Sequence, residues 1–384
     1  MPLARRLTFI LPVAAVVGLV LTAAVLLAVS RREHPATQER VIEVTGTTAV
    51  IAEFGLNADA IYLASAADPS LRTLVASIAH APEWGINPAA HASGTRTTYT
   101  VLPPAARPAR ETPAELRLFD VTSGAETLLA SDADLLTAPV FDRAGAHIVY
   151  RANGESDRQS LVSVEVATGQ RKVLYTVETL FGIYPVGFAA DGALLYANLS
   201  QSGTDLFRLA PTGGEPALLL HASDQVARDW DISPDGTTIS FVAPETHDER
   251  IVNRLQVVRL DSTKRVAVPA AETPASTDQF SPVWTPDGSG ITVGREAYPL
   301  QTAPAVTYHL NGGAPIALAT PREGYDVPLS WSEDGQYLAA LSFDGNSASN
   351  PGDESLVMIA QDGQRRTVVS ATQVLFLGWL AARG

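Results

Sequence analysis

From residue 44 onward, apolar residues come in short runs, each closed by Gly, Pro, Asp or Asn, and after residue 30 no stretch keeps the three-to-four spacing of a helix. Runs of roughly 4–8 residues with β-branched and aromatic enrichment, bounded by turn formers, predict strands. Examples are TRTTYTV, ELRLFDV and ETLLA; ALLYANL, DLFRLAP and EPALLLH; and QYLAALS, SLVMIAQ and RRTVVSA.

One unit recurs through these strands. An aromatic or apolar mark is followed four positions later by a turn glycine and then by a strand: Phe141 in FDRAG, Phe188 in FAADG, Ile232 in ISPDG, Trp284 in WTPDG and Trp331 in WSEDG. Two degenerate copies bracket the set. Trp84 opens WGINPAAHASG, where an insertion lengthens the turn, and Trp379 opens a copy that the chain end cuts off. Successive marks stand 57, 47, 44, 52, 47 and 48 residues apart. A period of roughly 40–50 residues with strand-turn-strand content predicts propeller blades, each a four-stranded sheet that buries its faces only against its neighbours. The Asp-Gly pairs fit tight hairpins, in which glycine takes positive φ and Asp caps the backbone. Pro82, Pro139, Pro185, Pro282 and Pro328 stand just upstream of marks, where a first strand is expected to begin and its N–H is not needed.

Both ends of the repeat are incomplete. TTAVIAEF, AIYLASA and LRTLVAS read as the second to fourth strands of a blade without a first, and TQVLFLGWL reads as a first strand without the rest. The expectation is an all-β fold, a seven-bladed β-propeller over residues 44–384 closed by N- and C-terminal strands that share one blade. A six-bladed ring with an extra N-terminal strand element is the alternative.

ISPDG, WTPDG and WSEDG resemble the aromatic-Ser-Pro-Asp-Gly signature of the TolB-like WD-repeat propellers, whereas FDRAG, FAADG and WGINP depart from it. The resemblance covers roughly residues 44–384. It implies a periplasmic platform that binds a partner through one mouth of the ring, and it brings no catalytic residue, because the matched positions are turn and packing positions.

Ahead of the propeller, Leu7 to Val29 carries no charge and, at about 1.5 Å per residue, is long enough to cross a ~30 Å hydrocarbon core. Ala28-Val29-Ser30 resembles a signal-peptide cleavage site, but the run exceeds the usual ~7–15 apolar residues, and Arg31 and Arg32 follow directly. We therefore expect residues 1–30 to be a cytoplasmic leader with one transmembrane helix, and 31–43 a linker. The propeller is then placed on the extracytoplasmic side of a single-pass membrane protein.

Composition narrows the chemistry. There is no Cys, so disulfides, thiolate metal sites and a Cys nucleophile are excluded. Net charge is −14, with Arg5, Arg6, Arg31 and Arg32 beside the apolar run, so the body is more acidic still and nucleic acid is not an expected partner. No G-x-S-x-G elbow, H-E-x-x-H, P-loop or Rossmann glycine pattern occurs. Glu245 to Arg250 and Asp344 to Glu354 hold oxygen donors, but their spacing misses the EF-hand frame, and solvated hairpin tips are the favoured reading. No cofactor, metal or catalytic residue is expected. Candidate binding residues are those just upstream of each mark, at the funnel mouth: His80, Asp134, Tyr184, Arg228, Asp229, Gln279, Tyr325, Asp326 and Gln373. The competing reading is that hydrogen bonds between blades consume them. The function expected is a protein-binding or scaffolding module of the bacterial envelope with an envelope protein or peptide as partner. The alternative is a propeller hydrolase or lyase of cell-wall glycans or peptides, using Asp134, Asp229 and Asp326.

Overall fold

The same buried position repeats along the chain: Ile61, Leu116, Leu161, Leu206 and Leu356 are all fully buried, each in the third strand of a four-stranded set. Immediately after each of them the pairing with the next, outermost strand slips by a bulge. A bulge adds local twist, so identical slips give successive sheets the same coil. Past the slip, the outer strands turn Leu74, Leu128, Val173 and Leu218 to solvent.

The computed structural model describes residues 46–109, 112–154, 157–247, 249–267, 277–297, 300–370 and 373–380. The leader, the anchor run and the linker lie outside the described residues. Within them every regular element is a strand, and no helix is long and apolar enough to cross a membrane.

Six hydrogen-bonded sheets result. In the first, Val374–Leu380 pairs with Thr48–Glu53, which continues to Ala58–Ser65 and Arg72–Ala79, so the last strand of the chain opens a sheet begun by its first. The second sheet holds two four-stranded sets. Asn87–Pro88, Arg96–Val101, Ala114–Asp120 and Ala125–Ala133 form one, Val140–Phe141, His147–Asn153, Arg158–Glu165 and Arg171–Glu178 the other, and the pair Ala133 and Ala152 joins them. Ile183–Phe188, Leu194–Ser200, Gly203–Leu209 and Ala217–Ser223 follow in order. The fourth sheet comprises Arg228–Ile232, Thr238–His247 and Arg250–Arg259. Gln279–Trp284, Gly290–Arg295, Val306–His309 and Ile316–Ala317 make the fifth. The last contains Gly324–Trp331, Tyr337–Phe343, Glu354–Ala360 and Arg365–Ser370, with Thr302–Ala303 parallel on its first strand. Apolar clusters lie between consecutive sheets, such as Ala49, Ile51, Trp379, Ala339 and Leu356 between the last sheet and the first.

The marks fall at the ends of first strands: Phe141, Phe188, Ile232, Trp284 and Trp331 each close one. Trp84 differs. It stands outside any strand and is 39% exposed, and the first strand of its set is only Asn87–Pro88, followed by the inserted residues in place of a tight turn. Pro139 directly precedes the first strand Val140–Phe141 as expected, but three other prolines sit differently. Pro185, Pro282 and Pro328 lie inside first strands, at register shifts, where a bulge leaves no ladder bond for the missing N–H.

The Asp-Gly turns are held by more than Asp and Gly. Gly236, Gly288 and Gly335 have φ of +72°, +69° and +67°. The hydroxyls of Ser233, Thr285 and Ser332 each donate to the turn Asp, at 2.6 Å, and accept the N–H that begins the next strand. The Asp accepts the N–H two residues on, from Thr237, Ser289 and Gln336. These bonds favour the ionised carboxyl, and Asp235, Asp287 and Asp334 are all held below the ordinary carboxylate range.

Asp120, in the turn after Ala114–Asp120, shows the effect most clearly. Its partial burial raises the pKa, but the hydroxyls of Thr122 and Thr95 and the N–H groups of Ser123 and Thr122 outweigh this and hold it at about 2. A folded pKa below the unfolded value of about 3.9 contributes stability above that value and loses it as pH falls toward about 2. The melting temperature is therefore expected to drop across that window, and to drop less steeply in Asp120→Asn; parallel curves for the two proteins would refute the assignment.

Candidate functional site

The residues upstream of the marks are, for the most part, internally bonded. His80 is buried, stacked on Phe54, with Nδ1 2.8 Å from the Ala81 carbonyl and Nε2 3.0 Å from Asp59. Asp134 is buried and ion-paired with Arg151 at 2.9 Å, and Asn153 donates to its other oxygen. The half-buried Tyr184 lies under the Arg151 guanidinium, 4.7 Å from its ring centre, and donates to the Phe181 carbonyl. Arg228 pairs with Asp229 at 2.8 Å, and Asp229 accepts the N–H of Ser281 from the next sheet. The Gln279 carboxamide accepts from Leu255 N and donates to Tyr308. Tyr325 is packed between Phe280 and Phe343, with its hydroxyl donating to the Ser347 carbonyl. Asp326 has no exposure and takes both Nη atoms of Arg365 at 2.8 Å. Gln373 is exposed, and its carbonyl accepts Phe54 N.

His80, Asp134, Gln279, Tyr325 and Asp326 thus have their polar groups inside the fold rather than at an open mouth. The 344–354 loop is likewise closed on itself: the Asp344 carboxylate accepts Asp353 N at 2.7 Å. Among the described residues no group of three or more His, Asp or Glu stands close enough to hold a metal ion.

The open cavity lies at the other end of the first strands, beside the marks. It has a volume of about 350 Å³. Its walls are Val140 and Phe141, Val186 to Phe188, and Trp230 to Pro234, with Arg143 from the FDRAG turn and Ala89 to His91 from the inserted segment. Local structure explains the opening. Arg228–Ile232 and Ile183–Phe188 each carry a register shift, at Arg228/Asp231 and Pro185/Gly187, which turns their last side chains out of the ladder. Trp230 stacks on Phe241 at 4.4 Å, which fixes its plane.

Three bonds order the polar rim. Asp231 accepts Trp284 N at 3.0 Å through Oδ2, and Trp284 Nε1 donates back to the Asp231 carbonyl at 3.3 Å, locking two neighbouring first strands together. Arg143 reaches past the FAADG turn to donate to the Pro234 carbonyl. His91 presents Nε2 at 3.5 Å from Asp231 Oδ1. Enclosure by the surrounding protein lowers the His91 pKa, but the nearby Asp231 carboxylate outweighs it, so the net displacement is upward. The His91 side chain is nonetheless 57% exposed.

The residues singled out from the sequence stand at the opposite end of the first strands from this cavity. The marks were legible, but their apolar side chains read as packing, and nothing in WGINPAAHASG tells that its tip arrives beside Asp231, 140 residues away.

The propeller fold is shared with several solved structures. An oligogalacturonate lyase in complex with manganese is 14% identical, with 86% of each chain covered and a TM-score of 0.55. The β-propeller domain of the Trilobed protease from Pyrococcus furiosus, described as having an open velcro topology, is 9% identical over 85% of this chain and 92% of its own, at 0.55. TolB from Acinetobacter baumannii is 12% identical over 87% of this chain and 67% of its own, at 0.48. No family model and no curated protein matches the chain by sequence. The chain is an all-β protein with a β-propeller fold, and a fold by itself does not fix a function.

Proposed function

We propose that this chain is a non-catalytic binding propeller of the bacterial envelope, anchored by Leu7 to Val29, with its body on the extracytoplasmic side and an envelope protein or peptide held in the cavity beside the marks. The reading takes the ring as seven-bladed, which is supported by the two four-stranded sets of the eight-stranded sheet and by the pairing of Val374–Leu380 with Thr48–Glu53.

The observation that carries the binding reading is a contrast. The cavity at the mark end is open, aromatic and edged by a few polar groups, as ligand sites are. The carboxylates that an enzyme would use are tied up instead, Asp134 by Arg151, Asp326 by Arg365, and Asp229 by Arg228 and Ser281 N. A hydrolase or lyase of cell-wall glycans or peptides is the second reading, supported by the oligogalacturonate lyase that shares the fold.

Crosslinking of the intact membrane protein is expected to join it to an envelope protein. Trp230→Ala is expected to reduce that adduct by roughly 30-fold, the cost of losing an aromatic anchor of about 2 kcal/mol. An adduct of undiminished yield would move the binding site away from the cavity.

A further inference from the structure

One acidic side chain lines the cavity, held by the backbone N–H groups of Ile232 and Trp284, and its one side-chain neighbour of opposite type, His91, is loosely placed. Asp231 Oδ1 stands 3.5 Å from His91 Nε2, well beyond the ~2.9 Å of a formed N–H···O bond. The Asp231 side chain is 14% exposed, that of His91 57%. His91 rides on the inserted segment between Asn87–Pro88 and Arg96–Val101, where the matched marks have a short Asp-Gly turn. The segment rests on the ring at its tip: Ala92 lies against Gly378, whose added Cβ would come 2.6 Å from the Ala92 Cβ, and Arg96 donates to the Gly145 carbonyl at 3.0 Å.

Phe141, Phe188 and Trp230 line the same cavity as the carboxylate. Aromatic faces carry negative potential, so a carboxylate among them is an arrangement that attracts a cation. The fixed positive charge of the lining, Arg143, is turned to the Pro234 carbonyl. A net charge of −14 adds a longer-range pull on positive ligands.

We propose that Asp231 anchors a cationic side chain, a guanidinium or an ammonium, of the bound peptide, and that His91 is a displaceable internal occupant of that anchor. This rests on the partner-binding reading and narrows it to basic peptides. With no peptide bound, the carboxylate accepts two backbone N–H groups, Ile232 on Oδ1 at 2.9 Å and Trp284 on Oδ2 at 3.0 Å, and the imidazole adds a third, longer contact. A guanidinium offers two parallel N–H donors in place of one distant imidazole nitrogen, so it replaces His91 with a gain. A cavity of about 350 Å³ accommodates one long basic side chain and its flanking backbone, not a folded domain.

The test is calorimetric titration of the detergent-solubilised full chain with acetyl-Ala-Arg-Ala-amide and with the same peptide carrying citrulline, the neutral isostere. The arginine peptide is expected to bind at least about tenfold more tightly. His91→Ala is expected to tighten its binding several-fold, and Asp231→Asn to erase the preference while keeping an oxygen acceptor for Trp284 N. Equal affinities for the two peptides, or weaker arginine binding in His91→Ala, overturn the proposal; should Asp231→Asn fail to fold, the His91→Ala result decides alone. A crosslinked envelope partner retained in full by folded Asp231→Asn would sink the cation anchor and leave partner binding standing. An arginine preference without any crosslinked partner would do the reverse.

Discussion

A chain that stops after Ser370 is expected to lose cooperative folding altogether. The strand it lacks, Val374–Leu380, buries Val374, Leu377, Trp379 and Leu380, all less than a tenth exposed. At about 1.5–3 kcal/mol for each fully buried apolar side chain, the loss is roughly 6–12 kcal/mol, comparable to the ~5–15 kcal/mol that holds a typical domain. The cut also removes the Trp379 Nε1 bond to the Ser330 carbonyl, at 3.1 Å, which ties the last sheet to the first. It leaves Thr48–Glu53 with a bare edge, open to pairing with another chain. Circular dichroism melts and limited proteolysis would read the result, and a truncated protein that melts like the full chain would show that closure contributes nothing.

Arg365→Leu is expected to cost about 3–5 kcal/mol, far more than an exposed ion pair, because it strands a carboxylate with no solvent access. Arg365 makes two bonds to Asp326 at 2.8 Å, one to the Ala319 carbonyl at 2.8 Å and one to Ser342 Oγ at 3.1 Å. It thereby ties the outermost strand of its sheet back to the first. The double variant Asp326→Asn with Arg365→Leu is expected to recover a large part of the loss, since the uncompensated charge is gone. Urea denaturation of the two variants would check this; a double variant no more stable than Arg365→Leu would show that the lost bonds matter more than the stranded charge.

The local elements were legible because each is a short-range matter. TTAVIAEF, AIYLASA and LRTLVAS became Thr48–Glu53, Ala58–Ser65 and Arg72–Ala79, and the Asp-Gly pairs became turns whose glycines have positive φ. The supporting hydroxyls of Ser233, Thr285 and Ser332 stand at the same offset in each mark, a signal readable from the sequence alone. The uncharged run Leu7 to Val29, from which an anchor is proposed, lies outside the described residues.

The sites were another matter. His80, Tyr325 and Asp326 look alike on paper, polar or aromatic residues at the leading end of a strand. Whether such a group meets solvent depends on a partner far along the chain, Asp59, Ser347 or Arg365 in these cases. The cavity depends on more distant meetings still, because His91 and Asp231 are brought together only when the first strands line one opening.

By itself, then, the sequence determined strands, turns and the repeat, since φ preferences, apolar alternation and hairpin chemistry act over a few residues. Tertiary structure alone decided which polar groups pair and which remain available. Pairing needs two side chains within about 3 Å, and that separation is set by how the sheets stack, a property spread over the whole chain.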